Sequence, residues 1–261
     1  MDRNEKRFPK SSPLIRKLQG LQTAFTFLTL VPVGKRVDFS QMAIRESLFW
    51  YPLVGCFLGV LGFLFTEYLL VPDYLVAVFI LTLWLLLTGA LHIDGIADCA
   101  DAWTGGLGSR ERTLEIMKDP RCGAMGVVAI VATLLLKMSA LVFVLQVQGA
   151  VVIVLAPLLA RISVVALFGS TSYVGSGPIG QAIALLSSRR VAATVILWIV
   201  LCFLLFPVGL LATTLLVTVL VHFLLSYFSR RRLQGFTGDC AGALIEITEI
   251  GVLLIGGFYL Y

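Results

Sequence analysis

The feature that most constrains this chain is a succession of apolar runs, each long enough to cross a bilayer. A helix rises 1.5 Å per residue, so roughly 17 to 25 apolar residues match the hydrocarbon thickness. Runs of this kind occupy residues 47–70, 74–92, 125–146, 150–168, 191–206, 208–228 and 242–260. Only 13% of the 261 residues are charged and 59% are hydrophobic, whereas a soluble domain carries about 25% charged residues. Lipid is therefore the main solvent. The expected fold is all-α: a polytopic transmembrane helical bundle of about seven spans. The fifth run is the shortest, 16 residues before Pro207, about 24 Å of helix.

The cations set the orientation. The turns Val71 to Asp73, Gln146 to Gly149 and Phe206 to Gly209 contain no Lys or Arg. Of the 20 Lys and Arg, all but Lys137 and Arg161 fall at the opposite ends of the spans. The positive-inside rule makes that side cytoplasmic. The net charge of +5 then favours anionic lipid or phosphorylated substrates, and calls for no nucleic acid. Residues 1–17 read as a polar cytoplasmic tail and 18–261 as one membrane domain. The apolar stretch Leu21 to Val33 is flanked by cations and precedes no small-x-small cleavage site. It is expected to dip into the inner leaflet, as a re-entrant or interfacial helix, without crossing. Cys56, Cys99, Cys122, Cys202 and Cys240 show no C-x-x-C spacing, so they imply neither zinc nor a disulfide framework.

Three cytoplasmic segments break the apolar pattern: Leu91 to Gly126, Gly169 to Arg190 and Ser229 to Glu249. The first and third hold nine of the 15 acidic residues. In the first, Asp94, Asp98 and Asp101 stand at i, i+4 and i+7. They share one face if the preceding membrane helix continues through them. Like charges this close repel, and a divalent cation resolves the conflict. Mg²⁺ takes carboxylate and phosphate oxygens and bridges substrate phosphates. A solvated polar helix end is the simpler reading of such a run, but small residues between the aspartates leave room for a ligand. Gly95 lets backbone approach a phosphate, and His92 is either a general base or a hydrogen-bonded interfacial histidine.

Further on, Lys118, Asp119 and Arg121 stand in a turn punctuated by Pro120, Gly123 and Gly126, directly before a span. Cations there can clamp phosphate oxygens, and the carboxylate can bind metal or accept a proton. Lys137 and Arg161 lie inside apolar runs, where an unpaired cation costs about 2.5 to 3.5 kcal/mol. They either pair with buried carboxylates or bind a substrate diphosphate. Asp239 is a helix cap or a substrate ligand. Glu246 and Glu249 either complete a second metal site or neutralise Lys137 and Arg161.

At these residues the chain resembles the cobalamin synthase family, the adenosylcobinamide-GDP ribazoletransferases. The resemblance rests on Gly89-Ala-Leu-His-Ile-Asp-Gly-Ile-Ala-Asp-Cys-Ala-Asp101, Leu114-Glu-Ile-Met-Lys-Asp-Pro-Arg-Cys-Gly-Ala-Met-Gly126 and Thr237-Gly-Asp-Cys-Ala-Gly-Ala-Leu-Ile-Glu246. Softer matches are Phe27 to Val33, Tyr51 to Gly55 and Ala160-Arg161. The resemblance implies a Mg²⁺-dependent membrane enzyme of a prokaryotic inner membrane. Such an enzyme joins α-ribazole or its 5′-phosphate to adenosylcobinamide-GDP and expels GMP. By this resemblance Asp94, Asp98 and Asp101 hold metal, Lys118 and Arg121 stabilise phosphate oxygens, and Asp119 activates the hydroxyl. A homo-oligomer, or a complex with other late cobalamin-pathway enzymes, is left open.

The chain departs from that family's pattern at Ala102, where Gly is common, at Pro120, where Ser is common, and at Gln234, the first position of a frequent Gly-Gly. The loop Tyr173 to Gly180 lacks an Arg expected near Gly175. Two other readings compete. A CDP-alcohol phosphotransferase also uses clustered aspartates, but its D-x-x-D-G-x-x-A-R core is not reproduced. An ion-coupled transporter would use Lys137, Arg161 and Glu249 as an ion path.

Overall fold

A computed structural model describes residues 13–34, 40–175, 182 and 186–261. Among them the elements are helices: α1 Pro13–Leu28, α2 Gln41–Ser47, a 3₁₀ turn Leu48–Trp50, α3 Tyr51–Tyr68, α4 Asp73–Thr88, α5 Leu91–Gly105, α6 Arg110–Ile116, α7 Ala124–Gln146, α8 Ala150–Ser170, α9 Ser188–Leu205, α10 Val208–Leu233 and α11 Gly238–Leu260. The only extended pairing described is an isolated bridge between Tyr173 and Phe236. Six stretches are long and apolar enough to cross a membrane: Gln41–Tyr68, α7, α8, α9, α10 and α11. The bent pair α4 and α5 brings the count to seven if taken together. The short fifth run is an 18-residue helix, α9, which starts at Ser188.

The bundle is built around α8, of whose spanning window 78% is buried, against 11% for α9. Helices in lipid gain little from hydrophobic exclusion, so close packing must hold them. The α3 residues Gly55, Gly59 and Gly62 supply it. A Cβ on Gly59 would stand 2.6 Å from Val154 Cα, and one on Gly55 would strike the Pro157 carbonyl. The two backbones touch because no side chain separates them. Leu58, Ile80, Leu141, Leu159, Leu211 and Val252 fill the core around this pair.

Short turns make successive long helices antiparallel, which sorts the connections to two ends. At one end Gly149 lies against Leu260 and Gly209 against Tyr259. At the other, the Leu30 amide donates to the Leu87 carbonyl at 2.6 Å and the Phe236 amide to the Ser172 carbonyl at 2.9 Å. Arg110 Nε donates to the Leu233 carbonyl there at 2.8 Å. The acidic segments and most cations share this second end.

Two expectations change. The membrane helix does not run on into the aspartates. It stops at Thr88, because Gly89 and Ala90 take φ of 62° and 55°, the left-handed region that ends helices. Helix α5 then leaves at 84° to α4, lying across the polar end instead of prolonging the crossing. Likewise Leu21 to Val33 is not one element. Helix α1 starts at Pro13, inside the stretch expected to be a polar tail, and ends at Leu28. Residues 1–12, with Lys35 and Arg36, lie outside the described residues.

Candidate active site

Helix α5 persists from Leu91 to Gly105, so Asp94, Asp98 and Asp101 do lie on one face. Their neighbour from the far end of the sequence is Asp239, in the first turn of α11. A Cβ on Gly95 would come within 2.6 Å of the Asp239 carbonyl oxygen, and one on Gly242 within 3.2 Å of His92 Cα. The helices therefore cross backbone to backbone, and that contact draws the first and third acidic segments together. Asp98 registers the result: its carboxyl is pushed up to about 6, first by burial and then by the charges of Asp94, Asp239 and Asp101.

The members of this cluster are not equivalent. Asp101 Oδ2 accepts from the Gly123 amide at 2.7 Å, and Oδ1 from the Gly126 amide at 2.8 Å. It thus satisfies the free amides that begin α7 and places negative charge on the positive end of that helix. Gly123 and Gly126 are small for this reason, since a Cβ on either would collide with the Asp101 carboxylate. Asp101 is in the first place the clasp between α5 and α7. At α11 the cap is Thr237, whose side chain accepts from the Cys240 amide, so Asp239 is not the cap. Asp239 accepts from the Thr237 hydroxyl at 3.1 Å. Among the described residues, Asp94, Asp98 and Asp239 form no ion pair.

No three His, Cys, Asp or Glu side chains among the described residues are grouped as a ready metal cage. The donor set nevertheless suits Mg²⁺, which asks for one or two carboxylates and takes its remaining oxygens from substrate and water. Carboxylates gathered at one crossing without an ion pair are such donors.

Lys118 is exposed in the connection from α6 to α7. Arg121 folds back on Asp119, with Nε 2.8 Å from Oδ1, and the Arg121 backbone amide also donates to that oxygen. The pair holds the Asp119 carboxyl down at about 2. A carboxylate so stabilised has little appetite for a proton, which argues against Asp119 as hydroxyl activator in this arrangement.

The other four candidates sit apart, inside the bundle. Lys137 Nζ lies 2.7 Å from Glu246 Oε2 and also pairs with Glu249, which pairs in turn with Arg161. All four are buried. Two positive and two negative groups cancel, and the cavity they border has room for about 10 Å³, near the threshold for a single water. Of the two readings open for each of these residues, the geometry carries the pairing. Glu246 and Glu249 are counter-ions to the buried cations in place of metal ligands, and Lys137 and Arg161 are not open to a diphosphate. Buried charge is expensive unless paired, and pairing is the alternative that avoids the cost.

His92 lies between this quartet and a larger cavity. It is buried, and neither ring nitrogen has a hydrogen-bond partner. The larger cavity, about 320 Å³, opens beside Asp239 and includes Tyr51, Phe168 and Tyr173. Burial and the Asp239 charge push the Tyr173 phenol up. Tyr51 and Tyr173 begin segments singled out in the sequence, but neither they nor Phe168 drew a site role there, since single residues from scattered elements leave no local pattern. The Asp101 clasp did leave a trace, in the Gly123-x-x-Gly126 spacing. Of the loop Tyr173 to Gly180, residues 176–180 lie outside the described residues.

A polytopic α-helical membrane protein that brings carboxylates from both halves of its chain to one polar end is the class defined by this fold and site. A family model described as cobalamin-5-phosphate synthase matches residues 20–257, and the chain belongs to that family. It is 46% identical to an adenosylcobinamide-GDP ribazoletransferase of Pseudomonas putida strain GB-1, over 88% of this chain and 95% of that protein. It is 48% identical to one of Stutzerimonas stutzeri, over 90% and 96%, and 44% identical to one of Pseudomonas aeruginosa, over 91% and 97%. No solved structure matches the chain.

Proposed function

We propose that this chain transfers the adenosylcobinamide phosphoryl group of adenosylcobinamide-GDP to α-ribazole or its 5′-phosphate, releasing GMP. The product is adenosylcobalamin or its 5′-phosphate, formed late in vitamin B12 assembly. The observation that carries this reading is the meeting of Asp94 and Asp98 with Asp239 at the Gly95 crossing, in a chain whose relatives named for this activity align over nearly its whole length. The cation-rich end that holds the site faces the cytoplasm of a prokaryotic cell by the positive-inside rule.

In the reaction a ribose hydroxyl oxygen of the ribazole, other than the 5′ oxygen that carries the phosphate in the 5′-phosphate form, bonds to the phosphorus attached to cobinamide. The bond from that phosphorus to the GMP oxygen breaks, GMP departs with the electron pair, and the hydroxyl proton passes to solvent. Asp94, Asp98 and Asp239 would hold Mg²⁺, and the bound ion would lower the diphosphate charge that repels the nucleophile. Lys118 supplies positive charge toward phosphate oxygens. Arg121 does so on leaving Asp119, whose role is to store that guanidinium near the site. Asp101 holds the start of α7 against α5, and the quartet ties α7, α8 and α11 together beneath the site.

Purified protein in lipid, given adenosylcobinamide-GDP, α-ribazole and Mg²⁺, is expected to form a cobalamin and release GMP. Asp94→Ala and Asp98→Ala should each abolish release while the protein elutes and melts normally. Folded wild-type protein that forms no product would overturn the reaction. Undiminished turnover in both variants would overturn the carboxylate assignment.

A further inference from the structure

The cavity of about 320 Å³ beside Asp239 is walled by α1, the 3₁₀ turn, α3, α5, α8 and α11, and falls at the small end of the range for ligand pockets. Its walls are mostly apolar: Phe27, Leu48, Val164, Phe168 and Ile245 contribute carbon surface. One polar group within them is unexplained. His92 is only 3% exposed, and both of its ring nitrogens lack a partner. Buried polar groups are almost always hydrogen-bonded, because leaving one unpaired forfeits its hydration. An unpaired imidazole at the wall of a mostly apolar chamber, whose other polar side chains are Tyr51, Tyr173 and Asp239, points to a ligand with a polar atom complementary to it. At the cavity's rim stands Asp239, which also belongs to the carboxylate cluster.

The occupant that fits best is a flat, largely apolar ring system with a ring heteroatom for His92 and a polar arm that leaves past Asp239. A corrin is far too large for this volume. Guanine is the competing ring, and filling the cavity would then raise KM for adenosylcobinamide-GDP instead of KM for α-ribazole, which would overturn the assignment. Resting on the reaction proposed above, we propose that the cavity receives the dimethylbenzimidazole base of α-ribazole. Its ring nitrogen not bound to ribose accepts a hydrogen bond from His92, the methyl groups lie against the apolar wall, and the ribose projects past Asp239 with its attacking hydroxyl toward the carboxylates. His92 is then a specificity residue for the nucleophile. An acyl chain of a membrane lipid is the competing occupant, but it would leave His92 unpaired.

The test uses full-length protein in nanodiscs with the GMP-release assay. Val164→Phe fills the cavity and should raise KM for α-ribazole at least tenfold, with KM for adenosylcobinamide-GDP held within twofold. Ala241→Val, a smaller filling, should act in the same direction and serves if Val164→Phe does not fold. His92→Phe removes the hydrogen bond but keeps the ring. Wild type should prefer α-ribazole over the matching riboside of dimethylindole, which lacks the free ring nitrogen, by about five- to tenfold, and His92→Phe should abolish that preference. An unchanged KM for α-ribazole in folded filling variants overturns the assignment, as does a preference that survives in His92→Phe. Loss of a co-purifying lipid from the filling variants with α-ribazole kinetics intact overturns it in favour of an acyl chain. If wild type releases no GMP the proposed reaction fails, and equilibrium binding of radiolabelled α-ribazole then decides the cavity separately. Binding that is weakened by Val164→Phe or Ala241→Val supports it, and equal binding or none overturns it.

Discussion

Gln234 ends α10 with φ of 59° and an exposed side chain. A non-glycine residue in the left-handed region pays about 1 to 2 kcal/mol, part of which glycine returns as unfolded-state entropy. Gln234→Gly should therefore stabilise the protein by about 0.5 to 1 kcal/mol, read as a higher melting temperature in lipid. At Asp119 the ion pair with Arg121 sets the pH behaviour. Its carboxyl is depressed to about 2, so the pair is fully formed above the ordinary carboxylate range and is lost only as pH falls through that value. Between about pH 5 and 9 Asp119 does not titrate. Asp119→Asn should leave the shape of the turnover profile unchanged across that interval, and should lower turnover by less than the ~10²-fold that loss of a general base brings. A profile whose acidic limb disappears in the variant would restore Asp119 as the base.

Among the helices, the decisive contact is the crossing of α5 on α11. Its geometry begins at Gly89 and Ala90, which turn α5 across the bundle end and present Gly95 to the start of α11. A methyl group on Gly95 would meet the Asp239 backbone, which cannot move aside as a flexible side chain can. Gly95→Ala should cost about 1 to 3 kcal/mol of stability by overpacking. Because it parts Asp98 from Asp239, it should also lower kcat in the fraction that remains folded. A variant that unfolds more easily yet turns over normally would show that the crossing serves packing alone. The same region explains why Asp101 is unlike Asp94: one carboxylate joins two elements, and the other is exposed.

For the molecule as a whole, the buried quartet is where the membrane interior and the polar end are joined. Lys137 on α7, Arg161 on α8, and Glu246 with Glu249 on α11 neutralise one another across three helices. Glu249→Gln leaves two cations facing one carboxylate. It should destabilise the bundle by about 3 to 5 kcal/mol, measured as a lower melting temperature or faster unfolding in detergent. Lys137→Met combined with Glu249→Gln restores the charge balance and should recover part of that loss. Equal stability of Glu249→Gln and wild type would mean that the quartet is not the tie between α7, α8 and α11.

What the sequence determined by itself was the solvent and the period. Bilayer-length apolar runs require helices, since only a helix satisfies its own backbone in hydrocarbon, and cations confined to one set of connections sort the ends. Within α5 the i, i+4, i+7 spacing likewise placed three aspartates on one face before any packing was known. Tertiary structure decided who partners whom. Glu246 and Glu249 read equally well as metal ligands or counter-ions until Lys137 and Arg161 met them. Asp101 read as one more metal ligand until the amides of Gly123 and Gly126 closed on it. The cavity at His92 had no sequence signature, because its walls come from elements up to about two hundred residues apart. Local spacing reports the face on which a side chain stands, while the partner that sets its charge and role arrives through contacts distant in sequence.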